Sequence, residues 1–434
     1  MTNDPTFDQL VRLSARIGCL SFGGPAGQIA LMHREIVEER RWVSEEQYLH
    51  ALNLCHLLPG PEAQQLAIWI GWKLHGLKGG LAAGLLFVIP GALVILALSV
   101  LYGFAAHLGW FSALFLGIKA AVLAVVVQAL LRVAGRALNT RFKSVIAALA
   151  FAALFAFSAP FPLVLLVAAM LGMAATILRP DWLALKPVGM AHDLGGRPWR
   201  QSVSAIAGFG VLWAMPMALI AVTLPKGHVL WQIGVFFSKL AVVTFGGAYA
   251  VLAYMAQQAV ENHHWLSARE MADGLGLAET TPGPLIMVTQ FVGYLAAFRE
   301  PEPFTPLVGG LIGALLTTWV TFVPCFLWIF TLAPWMERLE RSPWLKGALA
   351  AITAAVVGVI ANLSLWFALY VLFNAGQKVS LGPLHFEAPL LASLDWRATV
   401  LAIIAGLLIF GARWNIIRVL AIGAAGGLLL GMVP

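Results

Sequence analysis

Long apolar runs separated by short polar breaks fill this chain, and their lengths predict membrane-spanning helices rather than strands. Six such segments fall near 7–33, 45–74, 79–105, 110–133, 143–158 and 160–178. A polar stretch rich in Pro, Gly and basic residues follows at roughly 179–200, then an isolated apolar segment near 203–224. Six more fall near 229–257, 268–297, 305–333, 345–373, 396–411 and 414–432. The pattern predicts an all-α polytopic membrane protein of about 13 transmembrane segments, arranged six, one and six.

The two groups of six are copies of one unit. Ser21-Phe22-Gly23-Gly24-Pro25, Trp42-Val43-Ser44 and Pro59-Gly60-Pro61 return as Thr244-Phe245-Gly246-Gly247, Trp265-Leu266-Ser267 and Pro282-Gly283-Pro284, all displaced by 223 residues. Pro90 and Pro324 mark the third segment of each copy. The expected organisation is a first repeat at 1–178, a cytoplasmic linker with one extra span at 179–228, and a second repeat at 229–434. An odd number of spans between two copies inverts the second, the plan of many secondary transporters.

Composition agrees with the pattern: 60% of the 434 residues are hydrophobic and only 11% charged, against about 25% charged in soluble domains. The net charge of +7 is scattered over short loops, so it does not indicate nucleic acid. Lys73, Lys78, Arg132, Arg136, Arg141, Lys143, Arg179, Lys186, Arg197 and Arg200 follow even-numbered spans, which predicts a cytoplasmic N-terminus and an external C-terminus. Arg338, Arg341, Lys346 and Arg413 agree after the inversion, whereas Arg34, Arg40 and Arg41 dissent. The early acids Asp4 and Asp8 argue against a signal peptide. Three dispersed cysteines with no Cys-x-x-Cys predict neither a disulfide framework nor a metal or redox centre, and no P-loop occurs. No cofactor, no metal and no enzymatic activity are expected.

The chemistry concentrates at the breaks. Gly and Pro interrupt helices, and irregular backbone at membrane depth persists only where protein buries it or a cavity hydrates it. A half-helix restarting after such a break aims free N–H groups at the gap, which suits an anion. Ser44 with Gln47, and Ser267 with Glu270, read as capping boxes opening a short helix that Pro-Gly-Pro stops. The candidate binding residues are therefore Phe22, Gly23, Gly24, Pro25, Pro59, Gly60 and Pro61 with Phe245, Gly246, Gly247, Pro282, Gly283 and Pro284. Arg16 and Lys239, each six residues before the Phe, occupy equivalent places and are candidate cations for a dianion; a snorkelling Arg16 is the plainer alternative. On the short helices, Gln47, His50, Asn53 and His56 lie roughly along one face, and their equivalents in the other copy are Glu270, Asp273, Gly276 and Glu279. His50, His56, Glu62, Asp273 and Glu279 are thus coupling or gating candidates, against simple solvation of that face.

On Phe22-Gly23-Gly24-Pro25, Trp42, Pro59-Gly60-Pro61 and their partners, nearly the whole chain resembles the bacterial chromate ion transporter family in its long two-domain form. The second copy departs from the first with Ala248 at the place of Pro25 and Leu285 at that of Glu62. The resemblance implies a secondary transporter of the bacterial inner membrane that exports chromate and confers chromate resistance. Membrane potential is the candidate drive, and sulfate or another oxyanion the alternative substrate; an anion channel and a membrane-embedded reductase are more distant alternatives. Membrane lipid is an expected partner, and homodimerisation is left open.

Overall fold

The structure, a computed structural model, describes residues 5–22, 24–184, 199–245, 248–336, 339, 342–382 and 384–431. It is almost wholly helical. The first copy supplies α1 (Phe7–Leu20), α2 (Gly24–His33), α3 (Glu45–Leu57), α4 (Glu62–Ala105), α5 (Gly109–Ala137), α6 (Arg141–Phe157) and α7 (Phe161–Leu178). An isolated α8 (Trp199–Thr223) follows. The second copy supplies α9 (Val229–Val243), α10 (Ala248–Gln257), α11 (Ala268–Thr280), α12 (Val288–Arg299), α13 (Pro306–Leu332), α14 (Pro343–Leu372), α15 (Trp396–Gly406) and α16 (Ile416–Gly431). Among the described residues, six helices are long and apolar enough to cross a membrane, and several shorter apolar helices accompany them.

The duplication is visible in local detail. Both α2 and α10 run on into π-helical turns, Arg34–Glu39 and Gln258–Asn262. Trp42 N–H donates to Ile36 O and Trp265 N–H to Ala259 O, each at 2.9 Å. Both predicted capping boxes form: Ser44 Oγ accepts from Gln47 N–H, and Ser267 Oγ from Glu270 N–H. The predicted gap between the second and third segments is real but narrow: His75 and Gly76 leave helical geometry inside α4.

The chain packs as two compact units, and each holds parts of both copies. One comprises Met1–Val100, Val188–Val251 and Thr281–Ser342; the other Leu101–Pro187, Leu252–Thr280 and Pro343–Pro434. In the first unit Tyr48, Leu54, Leu66, Ile68, Phe87, Phe326 and Ile329 form a continuous apolar core. Pro90 lacks an N–H, which frees the Leu86 carbonyl, and Gly18 brings α1 directly against that oxygen. In the second unit α16 lies on α5, and α6 and α7 lie on α14. There Gly117 meets Gly423 and Gly427, Gly172 meets Gly347, and Gly358 meets Ala147, so backbones touch where any side chain would collide. Small residues at helix contacts are how membrane helices gain dispersion energy in a solvent that offers no hydrophobic drive. Large apolar side chains point outward instead, with Val222 of α8 87% exposed and Ile177 79%.

One element was not expected. Between α14 and α15 the chain forms an antiparallel hairpin of β1 (Gly376–Leu381) and β2 (Leu384–Pro389), with Leu381 opposite Leu384 and Gly376 opposite Pro389. Gly382, at φ +60, begins its turn. This segment is too polar to span, and pairing satisfies its backbone where a helix would lack an apolar face.

Candidate oxyanion site at the crossed helix breaks

Within the first unit, each Pro-Gly-Pro break is completed by the other copy. Gly60 N–H donates to Thr244 O at 2.8 Å, and Gly283 N–H donates to Ser21 O at 2.9 Å. Ser21 and Thr244 are equivalent, as are Gly60 and Gly283, so the two bonds are one contact repeated by pseudo-symmetry. The approach is local in origin. Ser21 Oγ donates to Ile17 O and Thr244 Oγ to Leu240 O, ending α1 and α9 in the same way. Phe22 N–H then turns back to Leu20 O, and Phe245 N–H to Val243 O, leaving the Ser21 and Thr244 carbonyls free to face the partner. Gly60 and Gly283 can present their N–H groups to these carbonyls because both lie at positive φ, +124 and +93.

The predicted binding residues therefore gather in one unit. Pro59, Gly60, Pro61, Gly283 and Pro284 are buried; Phe22, Gly24, Pro25, Phe245 and Pro282 are half-buried. Gly23, Gly246 and Gly247 lie outside the described residues. So do Lys186, Arg197, Arg338 and Arg341, on which part of the orientation rested.

Three buried glutamines surround this crossing. Gln28 Nε2 donates to Gly283 O at 2.6 Å and to Ser21 O at 3.3 Å, bracing the second-copy break from the first copy. Gln65 Nε2 donates to Pro59 O at 2.7 Å. Gln64 is fully buried, and neither atom of its carboxamide has a hydrogen-bond partner. Their second-copy counterparts are Val251, Val288 and Met287. The symmetry is thus one of backbone: these three positions are polar only in the first copy, while the second copy buries polar groups at other positions after its break, Thr289 and Gln290 among them. Comparing the copies at these positions, rather than matching the shared motifs, was the available signal.

The predicted cations sit elsewhere. Arg16 is exposed, and its guanidinium lies 3.6 Å from Glu35, a carboxylate only 2% exposed that also holds Arg40 at 2.6 Å and Arg34 at 3.9 Å. Two of the arginines that dissent from the loop-charge rule, Arg34 and Arg40, lie in this cluster and also meet Glu39 at 3.6 and 3.5 Å. Lys239 is exposed on α9.

The gating candidates divide sharply. His50 and His56 are exposed on α3, His56 Nδ1 lying 3.1 Å from Glu62 across the first break. Asp273 is buried in the second unit, where Lys119 Nζ of α5 meets its Oδ1 at 2.9 Å and Tyr102 Oη donates to its Oδ2 at 2.6 Å. Glu279 is buried further along the same helix. Among the described residues no group of three His, Cys, Asp or Glu side chains could hold a metal ion. Cys55 and Cys325 are buried and unpaired, and Cys19 is exposed.

Duplicated broken helices, close contacts through small residues and large apolar side chains on the outside define a polytopic all-α membrane protein. The sequence matches the family described as chromate transporter over residues 9–173 and 231–429. It is 32% identical over 366 residues to a chromate transport protein of Pseudomonas aeruginosa, covering 82% of this chain and 79% of that one. A chromate transport protein of Cupriavidus metallidurans is 29% identical over 357 residues, covering 82% and 81%. An uncharacterized transporter of Methanocaldococcus jannaschii is 26% identical over 374 residues, covering 85% and 86%. No solved structure matches the chain. The chain belongs to the chromate transporter family.

Proposed function

We propose that this protein is a secondary transporter that exports chromate across the bacterial inner membrane, with the crossed breaks as its substrate site. The observation that carries the reading is the reciprocal pair of backbone bonds, Gly60 to Thr244 and Gly283 to Ser21, which brings interrupted backbone from both copies together in one unit. Restarting half-helices with free N–H groups suit a tetrahedral dianion. The named relatives support chromate as the anion, and sulfate, of the same shape and charge, is the nearest competitor. Arg16 and Lys239 would act on the approach to the site rather than within it, since both are exposed.

Export needs no coupling ion on energetic grounds. A dianion leaving an inside-negative compartment gains about 2.3 kcal/mol per charge per 100 mV, hence about 4.6 for two charges. Export of this kind would confer chromate resistance on the cell. The 1–178 and 229–434 repeats would lie inverted, with the N-terminus cytoplasmic. The test is uptake of labelled chromate and sulfate into inverted vesicles, with voltage and pH gradient imposed separately. Voltage alone should drive saturable chromate uptake; uptake that ignores voltage, or that does not saturate, overturns this mechanism.

A further inference from the structure

Gln64 occupies an unusual position for a glutamine at a helix start. Side chains on the first turn tilt back toward the helix N-terminus, and a Gln or Glu at the third position normally accepts from the N–H of the capping residue. Among the described residues three other helices do this: Gln9 accepts from Thr6 N–H at 2.8 Å, Gln47 from Ser44 N–H at 3.5 Å, and Glu270 from Ser267 N–H at 2.8 Å. On α4 the capping residue is Pro61, which has no N–H to give. By helix geometry a side chain at this position tilts back toward the break, and the Gln64 carboxamide is unbonded and fully buried. A buried amide without a partner is costly, so Gln64 calls for a partner that the surrounding protein does not supply.

The backbone beside it is equally open. The first helical bond of α4 is Gln65 N–H to Pro61 O at 3.1 Å, so the N–H groups of Glu62, Ala63 and Gln64 have no acceptor within the helix. The second copy differs at both points. Its chain tightens into a 3-10 turn at Leu285–Met287, Met287 N–H bonds to Pro284 O at 2.9 Å, and Met287 stands where Gln64 does. Glu62, the acid on the first-copy turn, lies beside His56 at 3.1 Å.

We propose that Gln64 is a substrate-binding residue: its Nε2 and the free N–H groups opening α4 bind one tetrahedral oxyanion, and at the equivalent position the second copy has Met287, which cannot donate. The site is therefore one-sided within a two-fold backbone. Gln64 Oε1 remains to accept from water or from the O–H of a singly protonated oxyanion. This inference rests on the oxyanion reading of the crossed breaks and names the side chain that discriminates there.

The test compares wild type with Gln64→Met, which installs the second-copy residue, in vesicles loaded with labelled chromate. Loss of a hydrogen bond to an anion predicts a KM raised about 10- to 100-fold with maximal rate within twofold of wild type. Gln64→Glu, of nearly the same size but charged, should raise KM further, and it serves if the methionine variant does not accumulate. An unchanged KM, or a lowered maximal rate at unchanged KM, overturns the proposal, because a structural or water-binding role would give those results. Thermal shift of the purified protein with chromate, sulfate and molybdate separates the two layers. If wild type carries no chromate but another oxyanion stabilises it in a Gln64-dependent manner, the chromate reading fails and the Gln64 site stands. Equal stabilisation of wild type and Gln64→Met by every oxyanion refutes the site.

Discussion

The two short helices before the Pro-Gly-Pro breaks have one design and two fates. Helices α3 and α11 are each 13 residues long, begin with a Ser capping box and end at the same motif. Yet α3 exposes Gln47, His50, Asn53 and His56, whereas α11 is buried from Met271 to Glu279. Helix α11 is covered by α5 and α14, and its contact with α5 includes an ion pair. Asp273 replaces the equivalent of His50 and is held by Lys119, at a place in α5 whose second-copy equivalent is Leu349. Two departures from symmetry, far apart in sequence, are one compensated change in space. Duplication preserves the backbone plan, while this paired substitution accompanies the burial of one copy's helix.

That contrast can be broken or sharpened by substitution. The largest effect is expected for Asp273→Ala, which leaves the Lys119 ammonium in a nearly closed environment, its side chain only 14% exposed. Removing one member of such a pair costs about 3–5 kcal/mol. The double change Asp273→Leu with Lys119→Met should recover most of it in detergent melting experiments. If Asp273→Ala melts like wild type, the burial of α11 does not depend on the pair. Next come Gly60→Ala and Gly283→Ala. Each forces a side chain onto positive φ, at a cost of about 1–3 kcal/mol, and weakens one crossed bond. At Gly60 a new Cβ would also fall 2.7 Å from Gln65 Nε2. Comparable losses of transport in the two variants would fit a shared crossing; loss in only one would assign the working break to that copy. The smallest effect belongs to His50→Ala on the exposed face, within about 0.5 kcal/mol of wild type. A larger destabilisation there would mean that α3 is covered in the membrane.

Much of the fold could be read from the chain because its signals are local. Apolar run length, Ser-x-x-Gln or Ser-x-x-Glu caps and Gly-Pro interruptions located the helices and their breaks to within a few residues. What stayed hidden depends on partners distant in sequence. Nothing adjacent to Arg16 announces Glu35, and nothing near Asp273 announces Lys119 or Tyr102. Gln28, Gln64 and Gln65 were missed for a related reason: a search for what the copies share passes over what only one possesses. The hairpin at Gly376–Pro389 escaped because its short polar strands are legible only once they pair.

The crossed bonds between the breaks carry a consequence for assembly. Each copy provides a carbonyl that the other needs and an N–H that the other receives. A half-length chain with one copy would hold one spare donor and one spare acceptor, and could complete neither break. Two such chains placed face to face would complete both at once, so separately expressed halves should complement each other, and a single half should be inert.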